Sequence, residues 1–194
     1  MSKKTKNKKE EKPIDPLRQL RRLPPLDLLL LGTRNVFLNG VVNQQSSLQL
    51  VKELTYLDIL SPDPIVMRIN SPGGSIVDGI SIIDAMQYIN APVITLISGY
   101  ACSMGALISV CGVKRLITRK SIWMIHPPVS GMGDYFSFIK DRMVFINHLE
   151  KIGLDILSKH TKMTKKEIKQ SLHGELWYNA KQCQRKKIVD KIMG

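Results

Sequence analysis

Residues 93–106 read Val-Ile-Thr-Leu-Ile-Ser-Gly-Tyr-Ala-Cys-Ser-Met-Gly-Ala, and this stretch decides the fold. Its first half is apolar and rich in β-branched residues, as a buried strand requires. Its second half is built of small residues, and there the chain turns into a helix beginning near Ser103. No charged residue falls between Asp84 and Lys114, a length nominally sufficient for a membrane helix. Gln87, Asn90, Pro92, Ser98, Gly99, Ser103 and Gly105 break that run, so it reads as a buried strand–turn–helix and not as a membrane span.

The same alternation extends outward on both sides. Residues 35–41 form a strand candidate, and Leu48, Val51, Leu54 and Leu57 then recur at helical spacing over 45–60. Pro62 and Pro64 end that helix, 65–70 is the next strand, and Ile76, Ile80, Ile83 and Met86 make a second helical stripe. A strand over 122–126 runs into a loop holding Pro127, Pro128, Gly131 and Gly133. Strands and helices in this order imply βαβ units, right-handed crossovers and a parallel sheet. The pattern then changes. Phe138, Met143, Ile146, Leu149, Leu154 and Leu157 mark one long helix over 135–160, the kind of element that packs against another subunit or domain. Thr164 with Glu167 reads as a capping box opening a short basic helix, and 188–190 is a closing strand candidate.

Composition narrows the class. The chain has 194 residues, 43% hydrophobic and 23% charged, which fits one globular domain able to bury a core without staples. Three cysteines without CxxC spacing argue against a disulfide scaffold and against a zinc site, and point to a reducing compartment. The net charge of +13 resembles that of a nucleic-acid binder, but residues 25–158 carry 10 basic and 10 acidic side chains. The excess lies in a flexible basic arm over 1–24 and in the last 36 residues, which implies no specific nucleic-acid site. The opening residues contain no apolar core of a secretory signal.

Three local features carry chemistry. Ser71-Pro72-Gly73-Gly74-Ser75 lies between a strand and a helix, where paired glycines allow close approach of a ligand to free N–H groups. It reads as an oxyanion or phosphate cradle or as a plain tight turn; no Gly-Lys-Ser/Thr follows to make a nucleotide loop. Ser103, flanked by small residues at a helix head, reads as an exposed nucleophile or as a helix cap. Cys102 is a rival nucleophile or a small core residue. His126 ends an apolar strand where open α/β sheets bind ligands, or serves structure alone. His148, His160 and His173 read as surface residues, and no pair of histidines has metal-ligand spacing. A serine, a histidine and N–H donors together are the parts of acyl-transfer catalysis.

At these residues the chain resembles the ClpP family, the proteolytic subunits of ATP-dependent Clp proteases. The matching words are Arg34 with Val36-Phe37-Leu38-Asn39-Gly40, Ile69-Asn70-Ser71-Pro72-Gly73-Gly74, Ala101-Cys102-Ser103-Met104-Gly105-Ala106 and Met124-Ile125-His126, and the likeness covers about 30–192. The resemblance implies an α/β, crotonase-like fold of repeated ββα units with a protruding helical handle at about 128–163, within a peptidase domain over 25–194. It also implies homo-oligomeric stacked rings of fourteen subunits, polypeptide substrates, and a Clp/Hsp100-type AAA+ ATPase that spends the ATP. No cofactor or metal is expected in this chain. The expected compartment is the cytoplasm, or the stroma or matrix of an organelle.

Carried over by position, Ser103 is the nucleophile, His126 the general base and then acid, and the N–H groups of Gly74 and Met104 the oxyanion hole. The family's third member is an aspartate, and Glu175 stands in its place before Trp177-Tyr178-Asn179-Ala180. The extra methylene moves the carboxylate by roughly 1.5 Å on a fixed backbone, a misplacement worth on the order of a hundredfold in rate. Pro127 is a second departure, standing where the family usually has glutamine. Both motivate an alternative, a weakly active or inactive structural subunit in a mixed ring with a ClpP-like paralogue. A viral capsid-maturation protease and a crotonase-type acyl-CoA enzyme are further readings; the latter would not need both Ser103 and His126.

Overall fold

The sheet grows from two crossovers that begin at the amino-terminal side. A computed structural model describes residues 26–128 and 136–194, with the side chains of 136–140 left aside; the arm over 1–24 therefore lies outside the described residues. Helix α1 (Leu26–Gly32) leads to β1 (Asn35–Val42), α2 (Gln44–Leu60), β2 (Ile65–Gly74), α3 (Ile76–Tyr88), β3 (Val93–Cys102) and α4 (Met104–Val110). Strands β4 (Lys114–Thr118) and β5 (Ile122–Ile125) follow, then α5 (Phe136–His160), α6 (Lys165–Gln170), β6 (Leu176–Asn179), α7 (Ala180–Arg185) and β7 (Lys191–Met193). Strands β1-β2-β3-β4-β7 are parallel neighbours in that order, and β6 joins antiparallel to β5. This is the α/β, mostly parallel architecture expected.

Local chemistry explains the boundaries. Asn43 and Ser46 cap α2 reciprocally, and Pro62 and Pro64 stop it by denying further N–H donors. Arg34, at φ 58°, sends its guanidinium to the carbonyls of Leu57, Ser61, Asp63 and Pro64, tying the start of β1 to the end of α2. The buried face of α2 is Ser47, Leu50, Leu54 and Leu57. Leu48, expected inside, is 54% exposed, because a strict three-residue spacing drifts off a 3.6-residue helix while the 47-50-54-57 spacing follows it.

Other differences have equally plain causes. Strands β2 and β3 run on through Gly74 and Cys102, past the points where glycine suggested a turn. The closing strand is 191–193 in place of 188–190; Ile188 and Val189 are buried in the turn before it. Strands β4 and β6 were not expected, since Lys114-Arg115 and Trp177 mask their alternation. His160 is half-buried, with its carbonyl accepting from Arg115, so it does not belong with the surface histidines.

Strand β3 positions the site because it serves two partners. Its first half pairs with β4 (Ile94↔Lys114 to Ile97↔Ile117), and its second half with β5 (Tyr100↔Ile122 to Cys102↔Met124). The handover falls at Gly99, φ 113°, whose N–H donates to Ser121 Oγ at 2.8 Å. Trp123 on β5 is fully buried, with its indole N–H reaching Ala106 O and Ser109 Oγ of α4 and its ring stacked on Tyr178 of β6 at 5.9 Å. One side chain thus clamps α4, β5 and β6 together.

Candidate active site

Ser103 stands between β3 and α4 at φ 53° and ψ −121°. A non-glycine residue held at positive φ costs of order 1–3 kcal/mol and persists where the surroundings over-determine it. Here they do. The Ser103 N–H donates to Met124 O at 2.8 Å, and its carbonyl accepts from Ala106 and Leu107 of α4. Its hydroxyl makes no cap hydrogen bond, which removes the simple helix-cap reading. The side chain lines a cleft that His126 also lines.

The approach of β2 to this elbow depends on glycine. Gly73 has φ 90°, and a Cβ there would lie 2.6 Å from Cys102 O, 2.7 Å from Ser103 Cβ and 2.8 Å from Met104 N. Gly74, at φ 147°, is held against β1, where a Cβ would meet Val42 O at 2.2 Å. Gly105 brings α4 close to Ser71, whose Oγ accepts from the Gly73 N–H at 3.1 Å. Met104 is the first residue of α4, so its N–H has no acceptor within that helix. Gly74 borders a second cleft, next to the first and sharing Ile76, Pro128 and Leu149 with it.

Strand register brings the other two residues in. Cys102 pairs with Met124 and Ile125 with Leu176, and His126 and Glu175 are the residues next along from that last β5–β6 pair. Among the described residues no hydrogen bond joins Ser103 to His126 or His126 to Glu175. Glu175 is exposed, and its Oε2 accepts from the Trp177 indole at 2.8 Å. Burial, then the charge of Glu175, pushes the Cys102 thiol up to about 11. It is therefore a neutral thiol near pH 7, a core residue and a poor nucleophile.

Sequence patterning did not reveal that α5 forms the far wall of the cleft, through Leu149, Glu150, Gly153 and Leu154. A glycine in mid-helix was the available signal. Among the described residues no cluster of His, Cys, Asp or Glu could hold a metal ion, and no helix is long and apolar enough to cross a membrane.

Comparison with known proteins adds the family. The sequence model of the Clp protease family matches residues 26–194. The chain is 30% identical over 174 residues, 87% of its own length and 90% of the other's, to ATP-dependent Clp protease proteolytic subunit 1 of Chlamydia muridarum. The same subunit of Chlamydia trachomatis matches with the same identity and coverage.

Proposed function

The chain belongs to the Clp protease family and is a serine endopeptidase of that type, and on this premise we propose that it cleaves unfolded polypeptides through an acyl-enzyme on Ser103. In this reading Ser103 Oγ attacks the peptide carbonyl while His126 takes its proton. The tetrahedral oxyanion is bound by the N–H groups of Gly74 and Met104, and losing one such donor costs on the order of a hundredfold or more in rate. His126 then gives the proton to the leaving amine, and water repeats the sequence to release the acyl group. Glu175 orients His126.

The observation that carries the reading is Ser103 itself, at positive φ with its hydroxyl free of capping, in one cleft with His126. Homo-oligomeric stacked rings fed by a Clp-type ATPase follow from the family premise. Exposed apolar side chains on α5, Val144 at 70% and Phe145 at 52%, support a handle that docks on a neighbour. The working compartment would be the cytoplasm, or an organelle's stroma or matrix.

Treatment with a fluorophosphonate followed by intact mass tests the reading. One adduct is expected, absent in Ser103→Ala; an adduct that survives in that variant would falsify it. A second reading has its own observation, the engagement of Glu175 by Trp177. In it the chain is a weakly active subunit of a mixed ring with a paralogue, and an assembled ring that takes no adduct would favour it.

A further inference from the structure

The cleft beside Ser103 and His126 has walls largely of hydrocarbon, drawn from Met104, Leu107, Ile125, Leu154 and Leu157, and Glu150 of α5 is the one acidic residue in its described lining. Glu150 is half-buried, and among the described residues it has no hydrogen-bond or ion-pair partner. The described lining contains no lysine or arginine to neutralise it. Three residues on, and so on the same face of the helix, Gly153 withholds a side chain. A Cβ there would stand 3.4 Å from Leu107 Cδ1, and anything longer would grow across the cleft. The helix thus leaves space at one position and supplies negative charge at its neighbour.

We propose that Glu150 makes this cleft a specificity pocket for a basic substrate side chain, lysine or arginine, on the acyl side of the scissile bond. The inference rests on the peptidase reading above. Ser103 and His126 both line the cleft, so in this proposal the side chain attached to the attacked carbonyl is the one that enters it. A lysine or arginine stem lies along apolar wall while its head reaches a polar group, and a cation meeting a carboxylate in a partly desolvated site makes a strong, charge-assisted bond. A leucine would fill the wall but leave Glu150 stripped of water without a partner. A glutamate would meet like charge.

Peptide diphenyl phosphonates carrying Lys, Leu or Glu next to phosphorus test this on the full-length, assembled protein. Ser103 Oγ displaces phenoxide from each, and the rate of adduct formation is read by intact mass. Lysine is expected to label at least about tenfold faster than leucine, and Glu150→Gln to lower that ratio by about tenfold or more. Glu150→Lys is expected to turn the preference toward the glutamate probe. Because each ratio comes from one preparation, it is insensitive to how much of a variant folds. A wild-type preference for leucine, or a ratio that Glu150→Gln leaves in place, overturns the inference. Labelling by a simple fluorophosphonate but by none of the peptides overturns the inference alone. Labelling by neither overturns the peptidase reading and the inference with it.

Discussion

The Trp177 indole donates a 2.8 Å hydrogen bond to Glu175 Oε2, so the carboxylate proposed to orient His126 is engaged by a residue two places along its own chain. A hydrogen bond to a charged group is worth about 1.5–3 kcal/mol, and turning Glu175 toward His126 forfeits it. Trp177→Phe removes the donor and keeps the ring. It is expected to raise kcat for peptide hydrolysis by up to about tenfold, and to enlarge the loss caused by Glu175→Gln. Equal kcat in wild type and Trp177→Phe would show that the indole does not compete for the carboxylate.

Gly73 is the tightest point between β2 and the elbow. Gly73→Ala must place a methyl within 2.8 Å of three atoms of residues 102–104 and hold alanine at φ 90°. Something has to shift, and the elbow is what lies in the way. Labelling of Ser103 by fluorophosphonate is expected to slow by about a hundredfold or more, with a fall in stability of order 1–3 kcal/mol. A variant labelled at the wild-type rate would mean that the elbow tolerates displacement.

The alternation of strand and helix was legible because each buried strand is nearly all apolar and each helix carries a stripe, so β1, β2, β3 and β5 and helices α2 to α5 follow from periodicity. Strands β4 and β6 were not legible, because β4 is short and opens on Lys114 and Arg115, the latter tolerated through its pair with Asp190, and β6 pairs with β5 alone, which leaves Trp177 tolerable on it. Ser103, His126 and the glycine pair showed through their small-residue and strand-end contexts. The β5–β6 pairing that ends beside His126 and Glu175 did not, since it joins segments about fifty residues apart. The same is true of Glu150 and Gly153: their helix was legible, but its packing over α4 is tertiary.

Cys102 offers a clean discrimination between nucleophiles. With its thiol pushed up to about 11 by burial and by Glu175, it holds almost no thiolate near pH 7, and thiolate is the reactive form. Iodoacetamide at pH 7.5 is expected to leave Cys102 unmodified in the folded protein, as read by peptide mapping. Cys102→Ala is expected to keep peptide hydrolysis within about threefold of wild type, the loss coming from packing alone. Abolished hydrolysis in a folded Cys102→Ala protein would return Cys102 to candidacy.

Acid stability should report on Glu167, which joins α6 to the turn after α7. Its carboxylate pairs with Lys186, accepts from the Thr164 N–H at 2.8 Å and receives the Tyr178 hydroxyl at 3.4 Å. The Lys186 bond first, and the Thr164 N–H second, hold it down to about 2. A carboxyl depressed on folding stabilises the folded state above its unfolded value, about 4.5, and that contribution is lost as pH falls from there toward 2. Solvent reaches both partners, with side-chain exposures of 21% and 31%, so screening reduces the contribution to about 1 kcal/mol. Glu167→Gln keeps a capping side chain for α6 while removing the charge. Its unfolding free energy from urea titration at pH 7 is expected to lie below wild type by that amount, and the gap to close on acidification through this window. Since Ser171 and Leu172 just after α6 line the cleft beside Ser103, loss of peptide hydrolysis should track the same titration in wild type. Parallel stability profiles in the two proteins would show that the Lys186 pair contributes nothing, and would detach this end of the cleft from the charge on Glu167.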